Sequence, residues 1–162
     1  MAVINVTSGD QAVLTLANTS VLAVPGTAGG LIVPTVQDVT VGASTGTVRY
    51  STLDSSSSSA FTTVNENSIS INMLVDGDTF FGPAVANTDN EVANVGLLGT
   101  SINKTEVFFS VAFNEGDTSG EYYVSGKGFL TGLTPTASID QAVWISPMEI
   151  VVNGELAKTI VS

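Results

Sequence analysis

The chain has 162 residues, no Cys, no His, and 15 acidic residues against four basic ones, a net charge of −11. This inventory excludes disulfides, thiolate chemistry and any imidazole base or ligand. It also argues against specific nucleic-acid binding, which needs clustered Lys and Arg. The length suits one domain over residues 1–162, able to bury roughly 70% of its unfolded surface without covalent staples.

Val, Thr and Ile number 22, 20 and 9, and branching at Cβ favours a pleated sheet over a helix. A mainly β fold is therefore expected. Met1-Ala2-Val3-Ile4-Asn5 lacks the basic opening of a signal peptide. No apolar run nears the ~20 residues that span a membrane, so a soluble product without a membrane partner is expected.

In chain order, residues 1–36 read as short apolar pieces split by Gly, Asn and Pro, with a loop at Pro25-Gly26-Thr27-Ala28-Gly29-Gly30. Residues 1–35 are a candidate arm that packs on a neighbour. Val36, Val39 and Val41, then Val48 and Tyr50, predict two strands around a Gly42-Ala43-Ser44-Thr45-Gly46 turn. Residues 53–63 contain Ser55, Ser56, Ser57, Ser58 and Ser59, which have no apolar face to bury and predict an exposed loop. Ile69, Ile71, Met73 and Val75 alternate with Ser68, Ser70, Asn72 and Leu74, a strand with one core face that ends in an Asp76-Gly77-Asp78 turn.

Residues 87–105 are the one helical segment expected. Thr88 or Asp89 would cap it, Asp89 and Glu91 would suit its positive end, and Val92, Val95 and Leu98 would share a side. Gly96 and Gly99 predict that it is short. Val107, Phe109, Val111 and Phe113 then alternate with Phe108, Ser110 and Ala112, and a turn-rich loop leads into a strand over 121–131. The two read as an antiparallel hairpin. Beyond a loop holding Pro135, residues 139–145 and 148–152 predict one last strand bent at Pro147, with Trp144 in the core.

Catalytic groups are wanting. Without His, a nucleophilic Ser would depend on one of three scattered lysines. Asp117-Thr118-Ser119-Gly120 has an extra residue relative to the aspartic-protease triplet and no second copy, and suits a hairpin loop. The pairs Asp76/Asp78 and Asp89/Glu91 sit in turn or capping contexts without the aromatic platforms of a glycosidase. Calcium at Asp76/Asp78 lacks the EF-hand spacing. The Asn-x-Ser/Thr triplets at Asn5, Asn18 and Asn103 are expected by chance in so Asn- and Thr-rich a chain. No enzyme activity, cofactor or metal is expected.

Residues 88–154 resemble the carboxyl-terminal part of the tail tube proteins of tailed bacteriophages. The similarity runs through a short helix, Val107-Phe108-Phe109-Ser110-Val111-Ala112-Phe113, a loop, and Tyr122-Tyr123-Val124-Ser125-Gly126-Lys127-Gly128-Phe129-Leu130-Thr131. It ends in a strand with Ser138-Ile139-Asp140 and Ile150-Val151-Val152-Asn153-Gly154. Residues 36–75, two strands around a long polar loop followed by an amphipathic strand, are similar to that family's first half. The resemblance implies an antiparallel β-sandwich or barrel with one short flanking helix. It also implies hexameric rings of identical subunits stacked into a hollow conduit for DNA, in contact with other tail proteins. The location implied is the virion tail, after synthesis in the host cytoplasm. The serine loop would order on stacking. A net negative lumen would let DNA slide, and Glu121, Asp140 and Glu149 are its candidate strand residues. Two alternatives stay open: a capsid decoration protein, and a carbohydrate-binding or adhesive β-sandwich.

Overall fold

The structure is a computed structural model that describes residues 12–18, 31–33, 36–53, 56–85, 91–113, 122–140 and 142–160. Its strands are β1 (Ala12–Ala17), β2 (Leu31–Ile32), β3 (Val36–Tyr50), β4 (Ser59–Leu74), β5 (Glu106–Phe113), β6 (Tyr122–Thr131), β7 (Ile145–Val152) and β8 (Ala157–Ile160). All eight join one antiparallel sheet in the order β2-β1-β5-β6-β7-β4-β3, and β8 also pairs β6. β1 and β3, near opposite ends of this path, touch each other. The sheet therefore curls on itself, sandwich-like, but does not close.

Alternation decides which face each strand buries. Ile69, Ile71 and Met73 of β4 point inward with Met148 and Ile150 of β7, and Ser68, Ser70 and Asn72 point out. Leu14 and Leu16 of β1 meet Val111 and Phe109 of β5 on the same inner side. Part of the segment expected as an arm therefore lies in the chain's own sheet; residues 1–11, 19–30 and 34–35 lie outside the described residues. The β5–β6 hairpin is in register from Glu106↔Phe129 to Phe113↔Tyr122, as its alternation predicts.

Two helices fill the open side of the curl, where one was expected. α1 (Gly77–Phe81) begins at the Asp-Gly-Asp segment read above as a turn. The Asp76 carboxylate accepts from the Thr79 amide at 3.0 Å and from its hydroxyl at 2.8 Å, which caps the helix. Asp76→Ala should lower stability by about 1 kcal/mol in a urea titration, and Asp76→Asn by less. α2 (Glu91–Ile102) is interrupted at Gly96, whose φ of 74° and ψ of 171° are not helical. The break rotates the buried side, so Val92, Leu97 and Thr100 face the core, while Val95 and Leu98 are only half-buried. The cap candidates Thr88 and Asp89 lie outside the described residues. No described helix is long and apolar enough to cross a membrane.

Three further expectations are corrected. β3 runs unbroken through Gly42-Ala43-Ser44-Thr45-Gly46, because Asn65, Glu66, Asn67 and Ser68 of β4 stand opposite and hold it extended. The chain reverses only beyond Tyr50, and residues 59–63, expected in the loop, belong to β4. β7 starts at Ile145: Ile139 is fully exposed, Asp140 sits in a turn, and the bridge Thr136↔Ile145 closes that loop. Pro147 lies within β7, where β6 pairs only from Glu149 onward and asks for no N–H.

Candidate functional site: a projecting ribbon and an acidic sheet face

β7 stops pairing with β4 at Ser68↔Val151, yet β3 and β4 continue together from Ala43↔Asn67 to Tyr50↔Ser59. This two-stranded ribbon projects about 25 Å at the usual rise of a strand. One of its faces carries Val48 opposite Phe61, and Tyr50 two pairs further, with the Tyr50 and Phe61 rings 6.0 Å apart. Tyr50 is 52% and Phe61 54% exposed, and Leu53 stands free beside them. A hairpin with no third strand is marginal in water. A face of this kind needs a partner.

The second feature is the outer face of β3, β4, β7 and β6, which no described helix covers. Asp38, Thr40 and Ser44 line it from β3, Glu66, Ser68, Ser70 and Asn72 from β4, and Glu149 from β7. Asn72 donates to both Asp38 oxygens at 3.1 and 2.9 Å, and Glu149 stands half-buried between Ser70 and Thr131. Glu106 and Lys127 stand at the border with β5, 3.5 Å apart, and Asn153 donates to Glu106. Lys127 is the one base on this face among the described residues, and it is paired. The face is therefore negative, with hydroxyls, amides and carboxylates around the exposed Val151 and Phe129.

These two surfaces place the sequence candidates. Ser56 to Ser58 lie at the ribbon's tip and Ser59 starts β4, while Ser55 and Glu121 lie outside the described residues. Glu149 is on the acidic face; Asp140 is on no strand and does not join it. The sequence reading missed Asp38 and Glu66, whose positions depend on β3 continuing along β4 past Gly42. It also missed the apolar flanks of the serine run, for which Tyr50 before it and Phe61 after it were the available signal. Trp144, expected in the core, is 49% exposed and meets Phe81 edge-on at 6.5 Å. No group of three or more acidic side chains that could hold a metal occurs among the described residues. The protease-like Asp117-Thr118-Ser119-Gly120 lies outside them.

No protein-family model matches this chain, and neither does any curated protein sequence. Solved structures do. A chain of the SPP1 tail tube superposes with a TM-score of 0.61 at 11% identity, covering 96% of this chain and 81% of that one. The chain shares the fold of tail tube proteins. A chain from the tail of an empty gene transfer agent particle with C6 symmetry gives 0.60 at 16% identity, covering 95% and 99%. One from the sheath/tube terminator of the PVC extracellular contractile injection system, in the extended state, gives 0.60 at 10%, covering 98% and 99%. The tail tube fold thus spans nearly the whole chain, where the resemblance in sequence reached only residues 36–75 and 88–154.

Proposed function

We propose that this chain is a structural subunit of a phage-type tail tube, a virion component that assembles with copies of itself and catalyses nothing. The observation that carries this reading is the tail tube fold over 95% or more of the chain in all three of those comparisons. The C6 symmetry of the gene transfer agent tail supports six subunits per ring. The long edge of β3, unpaired among the described residues and with only Asp38 and Arg49 as charged residues to deter pairing, suits a sheet that continues into a neighbour's. The ribbon is then the element that reaches the adjoining ring, and the acidic face lines the lumen. Negative stain of the purified protein tests this: stacked six-fold hollow rings are expected. Trimers, or monomers with affinity for glycans, would favour the decoration or lectin reading.

The lumen assignment makes its own prediction. Wild-type tubes should not retain double-stranded DNA at 50 mM salt. Tubes of Glu66→Lys/Glu149→Lys add two bases per subunit to rings of the same face, and each phosphate contact made there releases counterions. Those tubes should retain DNA at low salt and release it as salt rises. Equal, negligible retention by both forms in filter binding would place the face elsewhere.

A further inference from the structure

We propose that the cleft beside α1, bounded by Phe81 and Trp144, is the receptor for the ribbon of a second copy of this chain. The inference rests on the tail tube reading and adds to it the surface that the ribbon meets. The cleft is open, about 590 Å³, and Leu74, Val75, Gly77, Phe81, Val143 and Trp144 form most of its wall. Phe81 and Val143 are each half exposed, as is Trp144. Isolated apolar side chains on a surface need no explanation, but a concave cluster containing Trp does.

The cluster is held rigidly. Trp144 meets Phe81 edge-on, and Phe81 meets the fully buried Phe80 at 5.0 Å, so a ladder of rings runs from the surface into the core. The Val75 amide donates to the Trp144 carbonyl at 2.9 Å and fixes its backbone. Such pre-organisation lowers the ordering cost of binding.

The occupant follows from position and from the match of two apolar surfaces. The ribbon tip lies at the start of β4 and the cleft just past its end, 16 residues of extended chain apart, about 50 Å at the usual rise. Two different surfaces at opposite ends of one molecule make a head-to-tail contact, and such a contact propagates as an open stack. The ribbon offers Val48, Tyr50 and Phe61 to the apolar wall. Arg49, between Val48 and Tyr50, projects from the ribbon's other face and leaves the docking face apolar.

The chain lacks Cys and has a single Trp, which makes the test direct. Val48→Cys and Val143→Cys, both at exposed positions, are prepared as separate full-length proteins and mixed under assembling, oxidising conditions. A disulfide-linked dimer of the two variants is expected, and none when Lys104→Cys replaces Val143→Cys. Tubes that form without the Val48–Val143 link overturn the inference and leave the tube reading standing. A wild-type protein that never assembles overturns both. If either variant fails to fold, wild-type Trp144 answers instead: its emission should shift to the blue and its iodide quenching fall several-fold as rings stack. Unchanged emission in assembled tubes overturns the assignment.

Discussion

Replacing residues 44–66 with Asn-Gly should leave a folded subunit that no longer forms tubes. Ala43 and Asn67 are directly paired, and a two-residue Asn-Gly loop closes such a pair as a type I′ turn matched to the strand twist. The cut removes no side chain of the core, since Ile69, Ile71 and Met73 lie beyond it. Circular dichroism and the urea midpoint should therefore stay close to wild type. Assembly should fail outright, because the deletion takes away Val48, Tyr50 and Phe61 together with the only axial projection among the described residues. The measurement is sedimentation velocity at concentrations where the parent is fully polymerised. A shortened protein that still sediments as tubes would show that the rings are held by some other surface.

Gly96→Ala should cause the largest loss of stability from a single methyl group. Its φ of 74° with ψ of 171° belongs to a region reserved for glycine, where other residues cost on the order of 1–3 kcal/mol. A Cβ there would also lie 2.4 Å from the Gly82 nitrogen and 2.6 Å from the Phe80 carbonyl oxygen. Gly82, itself at φ 91°, would meet the Asn94 carbonyl at 2.6 Å, so the two glycines let α1 and α2 touch backbone to backbone. Neither backbone can yield without moving Phe80, which is buried in the core. The combined cost of strain and overpacking should reach about 4 kcal/mol by chemical denaturation. Gly77→Ala is the control: nothing lies within 4 Å of its Cβ, and alanine in a helix should be neutral or stabilising by up to about 1 kcal/mol. Equal midpoints for the two variants would refute the packing argument.

Much of the fold was legible where one residue alternates with the next. β4, β5 and β6 carry their inner face in the sequence itself, because Ile69, Ile71 and Met73, or Val107 and Phe109, repeat at period two. The ribbon was not, for a physical reason. Gly42-Ala43-Ser44-Thr45-Gly46 has the composition of a turn, and only the strand opposite keeps it extended. Pairing across some 25 residues leaves no local trace. α1 was missed because five residues are too few to show a helical period; the Asp76-x-x-Thr79 cap was its only mark. Trp144 was assigned to the core because its neighbours are apolar. Whether such a stretch is covered depends on what packs over it, and there the chain offers a cleft instead. The acidic face was half legible: Glu149 follows from β7, whereas Asp38 and Glu66 wait on the true course of β3.

The place where the sheet divides has a mechanical consequence. Past Val152, Asn153 and Gly154, the latter at φ 100°, step the chain across to β8, which keeps company with β6, while β3 and β4 leave alone. The projecting pair is thus joined to the body through two backbones only, and Gly42 and Ser68 at its root bring no bulky side chain to stiffen the joint. The body, by contrast, is braced by a continuous core from Leu14 to Ile150. A stack of such subunits would behave as stiff discs on compliant hinges. Curvature would gather between discs, and the bore of each disc would keep its shape as the whole flexes.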